Sequence, residues 1–125
     1  MAKEAGALGN QLVCLDPSGR LLWSSGRENR FGLGPFMVAD GLILALEDKG
    51  TLVLAEASPK GYVPLAQAKV LKDGYEAWGP LALAGGRLIL RDLTRLICLD
   101  LRAETGGATS VASTRAGAAG RGPDE

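Results

Sequence analysis

The sequence predicts an all-β protein built from antiparallel sheets, and three observations carry that prediction. Short apolar runs alternate with clusters of Gly, Asp and Pro, which is the pattern of strands joined by tight turns. The run LVCLD at 12–16 returns as LICLD at 96–100 and, more loosely, as LVLAE at 52–56, which indicates repeated units. Because the runs are nearly continuous in apolar residues and no helical segment is available to cover them, sheets must cover sheets.

The first unit reads as a strand, a tight turn and a second strand. Leu12–Leu15 is apolar, Asp-Pro-Ser-Gly at 16–19 has the composition of a turn, and Leu21–Trp23 is apolar again. This unit therefore contributes two strands.

The second unit contains the clearest hairpin signal of the chain. Phe36–Ala39 and Leu42–Leu46 flank Asp40-Gly41, a dipeptide typical of the turn in which both central residues have positive φ. A further turn at 47–50 leads to a third strand at 51–55.

Residues 63–71 are ambiguous, because they favour helix but are too few for a stable isolated helix. With a period of two, Ala66, Ala68 and Val70 fall on one face, which predicts a fourth strand.

The third unit repeats the second, with Pro80 matching Pro35 and Gly86 matching Gly41. Its predicted strands are 81–84, 88–90 and 96–99, separated by turns at 85–86 and 91–95.

Composition excludes several classes of function. Fourteen Lys and Arg balance fourteen Asp and Glu, so no net charge would attract nucleic acid. The first ten residues lack a basic segment followed by an apolar one, so no signal peptide is expected. The apolar runs are too short to span a bilayer. We therefore expect neither a nucleic-acid partner nor a membrane-spanning segment.

Several common catalytic arrangements are also missing. The chain has no histidine, which removes the Ser/His and Cys/His arrangements, and no Gly-rich phosphate loop opens a helix. Its acidic residues lack the spacing of a calcium loop, and two cysteines cannot form a zinc site. We therefore expect no enzyme activity in this chain, no cofactor, and no catalytic, cofactor-binding or metal-binding residue.

Cys14 and Cys98 hold the same place in LVCLD and LICLD. Equivalent positions of stacked strands are not normally in bonding contact, so both cysteines are expected to be small apolar core residues, with a disulfide as the alternative.

Residues 14–23, CLDPSGRLLW, resemble the tryptophan-docking motif of the quinoprotein-type β-propellers with PQQ-like repeats. Asp16, Gly19 and Trp23 match that motif, while Ser18 and Arg20 stand where Thr and Lys are usual. The segments 34–57 and 77–101 are similar to the inner strands of that family's blades.

The resemblance implies antiparallel four-stranded propeller blades. It divides the chain into a lead-in at 1–10, a partial blade at 11–34, a blade at 35–79, a partial blade at 80–102, and a disordered tail at 103–125 rich in Ala, Gly, Ser and Thr. About two and a half blades do not close a propeller. The expectation is therefore a C-terminal fragment of a larger propeller, or a homo-oligomer. A small free-standing sandwich is the alternative fold.

In the resembling family, the motif's tryptophan covers peptide surface of the neighbouring blade, which is the role expected of Trp23. The second unit has Glu56 and no tryptophan, and Tyr62 is the candidate to replace it.

The resemblance also implies the function. The expected role is a non-catalytic protein-interaction or scaffold module that meets a protein partner or further blades. The alternative is a fragment of a PQQ-dependent dehydrogenase whose cofactor site lies outside this chain. Members of the family are largely periplasmic or secreted.

Strand direction predicts where a binding face would lie, because the turns after each second strand and the loops into each first strand share one edge. The residues expected there are Glu47, Asp48, Arg91, Asp92, Arg27–Arg30 and the loop Lys72–Trp78. The simpler interpretation is that these charges are solvated turn residues and that Trp78 packs between blades.

Overall fold

The computed structural model describes residues 9–103, and these residues form nine strands and no helix. The strands are β1 (Val13–Leu15), β2 (Leu21–Ser24), β3 (Phe36–Ala39), β4 (Leu42–Leu46), β5 (Thr51–Glu56), β6 (Pro64–Lys69), β7 (Ala82–Ala84), β8 (Arg87–Arg91) and β9 (Leu96–Asp100).

The strands pair only with antiparallel neighbours and make three sheets, each in chain order. The first sheet is β1–β2, the central sheet is β3–β4–β5–β6, and the third sheet is β7–β8–β9. The all-β antiparallel prediction is confirmed, and β6 is the fourth strand expected over 63–71. The disordered tail predicted at 103–125 lies, after Ala103, outside the described residues.

The two tightest hairpins turn as their sequences predict. Asp40 and Gly41 have φ of 50° and 74°, and Gly85 and Gly86 have φ of 57° and 77°. Positive φ at both central residues gives the turn a twist that matches the flanking strands. Asp-Gly and Gly-Gly are suited to it because Gly and Asp tolerate this conformation.

The central sheet is packed on both faces, because alternate side chains of its strands meet different neighbouring sheets. The cluster shared with the third sheet consists of Leu44, Leu46, Leu52, Leu71, Ala77, Leu88, Leu90, Ile97 and Leu99. The cluster shared with the first sheet consists of Leu12, Trp23, Phe31, Ile43, Ala45, Val53 and Ala55. A one-residue slip between β4 and β5 would exchange the two sets, so this packing fixes the register.

Within residues 9–103, the third sheet is packed on one face only. Along β8, Leu88 and Leu90 are fully buried against the central sheet, whereas Arg87, Ile89 and Arg91 are exposed. Among the described residues, the expectation of sheets covered on both faces therefore holds for the central sheet and does not hold for the third. The sequence contains a reason for this difference, since RLILR has an arginine at each end, both on the outward side, whereas LILAL is apolar at every position. The propeller arrangement itself stays a prediction.

Candidate functional site

The turn between β1 and β2 is held by the carboxylate of Asp16. Its Oδ1 accepts hydrogen bonds from the N–H and hydroxyl of Ser18 at 2.9 and 2.6 Å and from the N–H of Arg20 at 2.9 Å. The bonds from the Ser18 hydroxyl and the Arg20 N–H hold the pKa of Asp16 below its ordinary value. This geometry directs the chain back along β1 and so places Trp23 beside Cys14.

Trp23 fastens the first sheet to the central sheet. Its indole Nε1 donates a 2.7 Å hydrogen bond to the carbonyl oxygen of Ser58, in the loop between β5 and β6. Only 8% of the residue is exposed, and its ring lies 5.9 Å from the ring of Tyr62. The indole therefore covers peptide surface of the neighbouring sheet, as expected for Trp23.

Tyr62 does not take the corresponding place in the second unit. It packs in the cluster shared with the first sheet, against Trp23, and burial there raises the pKa of its hydroxyl. Trp23 lies opposite Cys14, and the corresponding pair in the central sheet is Leu54 and Ala66. The position equivalent to Trp23 is thus alanine, so the expected substitution by Tyr62 is wrong.

Asp48 joins two loops at the edge where the β4–β5 and β8–β9 turns lie, here called the loop edge. Its Oδ1 accepts hydrogen bonds from the N–H of Leu33 at 2.7 Å and from the indole Nε1 of Trp78 at 3.0 Å. Its carbonyl oxygen accepts the N–H of Ala77 at 3.1 Å. Asp48 is therefore a structural link between the loop into the central sheet and the loop into the third sheet.

The loop at 72–78 reaches both turns of the loop edge and presents aromatic rings to solvent. Leu93, after β8, donates its N–H to the carbonyl of Tyr75 at 3.2 Å. Tyr75 is 64% exposed and Trp78 is 45% exposed, so Trp78 is not the buried packing residue that was expected. Asp73 and Glu76 have φ of 53° and 51°, a conformation that is uncommon for residues other than Gly.

Asp92 is buried at the same edge rather than solvated. Its Oδ1 accepts the N–H groups of Thr94 at 2.9 Å and Arg95 at 2.8 Å, and its Oδ2 pairs with the Arg95 guanidinium at 2.8 Å. Although burial alone would raise it, the hydrogen bonds from Arg95 and Thr94 lower the pKa of Asp92 to about 2. Its role is to hold the β8–β9 turn.

The residues predicted for a binding face therefore do share an edge, but several have structural roles. Glu47 accepts the N–H of Lys49 within its own turn, at 2.6 Å. Arg91 is exposed and donates from Nε to the carbonyl of Asp92 at 3.1 Å. Arg27–Arg30 lie in the exposed part of the loop that reaches Asp48 through Leu33.

The outer face of the third sheet is the surface that the sequence analysis missed. Ile89 lies opposite Ala82 on one side and Cys98 on the other, and these three side chains form an apolar row across the sheet. Ile89 and Leu96 are each 41% exposed. Arg87 and Arg91 stand at the two ends of β8 on this face. The arginines at both ends of RLILR were the sequence signal that could have indicated an exposed face.

The two cysteines are unbonded and lie in different surroundings. Cys14 packs against the cluster around Trp23, whereas Cys98 is half-buried on the outer face of the third sheet. The core interpretation therefore suits Cys14 and not Cys98. Within residues 9–103 no three His, Cys, Asp or Glu side chains are grouped so as to hold a metal ion. The same residues include no helix of the length and apolar character that crossing a membrane takes.

Two comparisons with known proteins give no match. A scan against models of protein families finds none that fits this chain, and a search of curated proteins finds no similar sequence. The resemblance to quinoprotein-type propellers therefore rests on the residues of the docking motif and the repeated units, and it stays a prediction.

Proposed function

We propose that this chain is a non-catalytic β-propeller repeat segment that acts as a protein-interaction or scaffold module, by stacking a further sheet of the same kind on its third sheet. The observation that supports the proposal is that two equivalent sheet faces, one in the central sheet and one in the third sheet, differ in burial. The face of the central sheet that points toward the third sheet is covered. The outer face of the third sheet, which points the same way, is not covered by any other part of residues 9–103.

The equivalence follows from register. Leu44 and Leu54 face each other across β4 and β5, and both pack against the third sheet. Ile89 and Cys98 hold the same places across β8 and β9. Since the repeat continues with the same orientation from one sheet to the next, the surface that suits Ile89 and Cys98 is another apolar sheet face. Each apolar side chain that becomes covered contributes about 1 kcal/mol or more.

The two arginines indicate the chemistry of the incoming sheet. In the central sheet the positions of Arg87 and Arg91 are occupied by Leu42 and Leu46. The third sheet thus has an apolar centre with a positive charge at each end of β8. A matching sheet has apolar residues at its centre and carboxylates opposite the two guanidinium groups, because complementary charges favour the correct partner. In the purified protein the available sheet is that of a second copy, so we expect a homo-oligomer through the apolar row, with an affinity lowered by the arginines that both copies carry.

The test compares two matched variants by light scattering over a range of protein concentrations. Ile89→Glu places a carboxylate in the apolar row, and Leu65→Glu places one on β6, where the side chain is 52% exposed and away from that row. We expect Ile89→Glu to raise the dissociation constant of the oligomer about tenfold or more, because a buried carboxylate costs over 1 kcal/mol. Leu65→Glu should leave association unchanged.

Thermal melts of both variants establish that each is folded. The proposal is contradicted by a folded wild-type protein that stays monomeric up to millimolar concentration. It is also contradicted if both variants weaken association equally, because the contact would then not involve the outer face of the third sheet.

A further inference from the structure

We propose that the free edge of β9 accepts an extended segment of another protein as the fourth strand of the third sheet. This inference concerns the backbone of an edge strand and goes beyond the proposed function, which concerns the side chains of a sheet face. It begins with the hydrogen bonds between β8 and β9.

The two ends of the β8–β9 ladder determine which residues bond across it. The N–H of Asp92 donates to the carbonyl of Arg95 at 3.0 Å, and the N–H of Leu101 donates to the carbonyl of Gly86 at 2.8 Å. In an antiparallel ladder, bonded and non-bonded pairs alternate. The bonded pairs between these ends are therefore Leu90 with Ile97 and Leu88 with Leu99.

The remaining residues of β9 point their backbone groups the other way. Leu96, Cys98 and Asp100 direct their N–H and C=O groups away from β8, toward an edge that pairs with no strand of residues 9–103. Such a row of groups is a template for pairing with another chain. Strand addition to an exposed edge is a general mode of peptide recognition, in which the backbone supplies the affinity.

In the central sheet the equivalent edge belongs to β5, and it is paired with β6. This pairing shows which kind of strand fits such an edge. There, the N–H of Glu56 donates to the carbonyl of Val63, and the N–H of Val70 donates to the carbonyl of Gly50, each at 2.9 Å. Between these ends, Leu54 lies opposite Ala66 and Leu52 lies opposite Ala68. Leu52, Leu54 and Glu56 hold the places of Leu96, Cys98 and Asp100.

β6 is therefore a template for the incoming strand. Its six residues are all exposed, so its contact with the sheet is mainly through the backbone. Small side chains, Ala66 and Ala68, stand at its bonding positions. We infer that the partner segment is extended, runs antiparallel to β9, and carries small apolar residues with free N–H groups opposite Leu96 and Cys98. A second copy of β9 fits less well, because pairing centred on Cys98 would place Asp100 opposite Leu96.

The experiment uses the 125-residue chain, isotope-labelled for NMR, and a synthetic peptide with the sequence of residues 62–71, YVPLAQAKVL. The measured quantity is the exchange rate of the amide protons of Leu96, Cys98 and Asp100. At a peptide concentration about ten times its Kd, exchange at Leu96 and Cys98 should slow about tenfold. The amides of Ile97 and Leu99 bond to β8 and should change less.

Two N-methylated peptides provide the matched controls. Methylation at the positions of Ala66 and Ala68 removes the N–H groups that face the edge, and should abolish the effect. Methylation at the position of Gln67 removes an N–H that points away from the edge, and should preserve it. The variant Ile89→Glu should still bind the peptide, which separates this inference from the contact made by the sheet face.

Several results would overturn the inference. One is the absence of any response at Leu96 and Cys98, and another is an equal response to the two methylated peptides. Slow exchange of these amides in the peptide-free monomer would mean that the chain itself fills the edge. Protection that rises with protein concentration alone would mean that a second copy fills it.

Discussion

The contact between Trp23 and the central sheet gives the sharpest prediction of stability. Replacing Trp23 by Ala removes a side chain that is 8% exposed, together with its 2.7 Å hydrogen bond to the Ser58 carbonyl and its contact with the Tyr62 ring. Trp78 offers a matched comparison, because it is the same residue type, is 45% exposed, and also donates from its indole, to Asp48 at 3.0 Å.

The magnitudes follow from burial. Trp23→Ala should lower the free energy of unfolding by about 3–5 kcal/mol, the usual cost of removing a buried aromatic side chain. Trp23→Phe keeps much of the apolar contact but loses the hydrogen bond, so it should cost about 1–2 kcal/mol. Trp78→Ala removes a half-exposed ring and one exposed hydrogen bond, and should cost about 1 kcal/mol. The total free energy of unfolding of a small domain is about 5–15 kcal/mol, so only Trp23→Ala removes a large part of it.

Urea unfolding followed by far-UV circular dichroism measures all three values, since the midpoint and slope give the free energy of each variant. Amide exchange of β1 and β2 then shows whether the first sheet opens before the others in Trp23→Ala, as local unfolding would require. The reasoning is refuted if Trp78→Ala destabilises the protein as much as Trp23→Ala. It is also refuted if Trp23→Phe is as stable as the wild type.

Two further predictions concern single positions. The pKa of Asp92 falls from 3.8 in the unfolded chain to about 2 in the folded one, so its contribution of about 2 kcal/mol is complete above pH 4 and is lost as the pH falls toward 2. Asp92→Asn should remove this part of the acid dependence in urea unfolding at successive pH values, and an unchanged profile would contradict it. Gly34→Ala should cost about 2 kcal/mol or more, because its Cβ would lie 1.8 Å from the carbonyl oxygen of Leu46. Gly41→Ala has open space and only its φ of 74° against it, so it should cost about 1 kcal/mol, and the reverse order would contradict the packing.

Most strands could be predicted from the sequence because their signals are local. The pairs Asp40-Gly41 and Gly85-Gly86 determine where two hairpins turn, and apolar runs on either side determine the strands. β6 was the ambiguous strand, and its period-two pattern outweighed its helix-favouring composition. The reason is that a helix of this length gains too few hydrogen bonds to form without tertiary contacts, whereas the edge of β5 offers a full row of partners.

The contacts between sheets could not be predicted in the same way, because they depend on which loops meet in space. No local pattern indicates that Asp48 would bond to both Leu33 and Trp78, which lie 15 and 30 residues away. The burial of Asp92 was missed for a related reason. A charged residue in a turn is usually solvated, but here Arg95 and two N–H groups satisfy its carboxylate.

The two interfaces of the central sheet are fastened by different means, although the units are repeats. At the first interface, the indole of Trp23 bonds to the loop between β5 and β6, at the end opposite the loop edge. At the second interface, the equivalent position is Ala66, which is too small to reach the third sheet, and Asp48 with Trp78 makes the connection at the loop edge instead. The units therefore share one strand pattern, but the polar contact differs from one interface to the other. Because those contacts come from opposite ends of the strands, losing one should loosen its own interface and leave the other packed, as expected of stacked units whose energies are nearly additive.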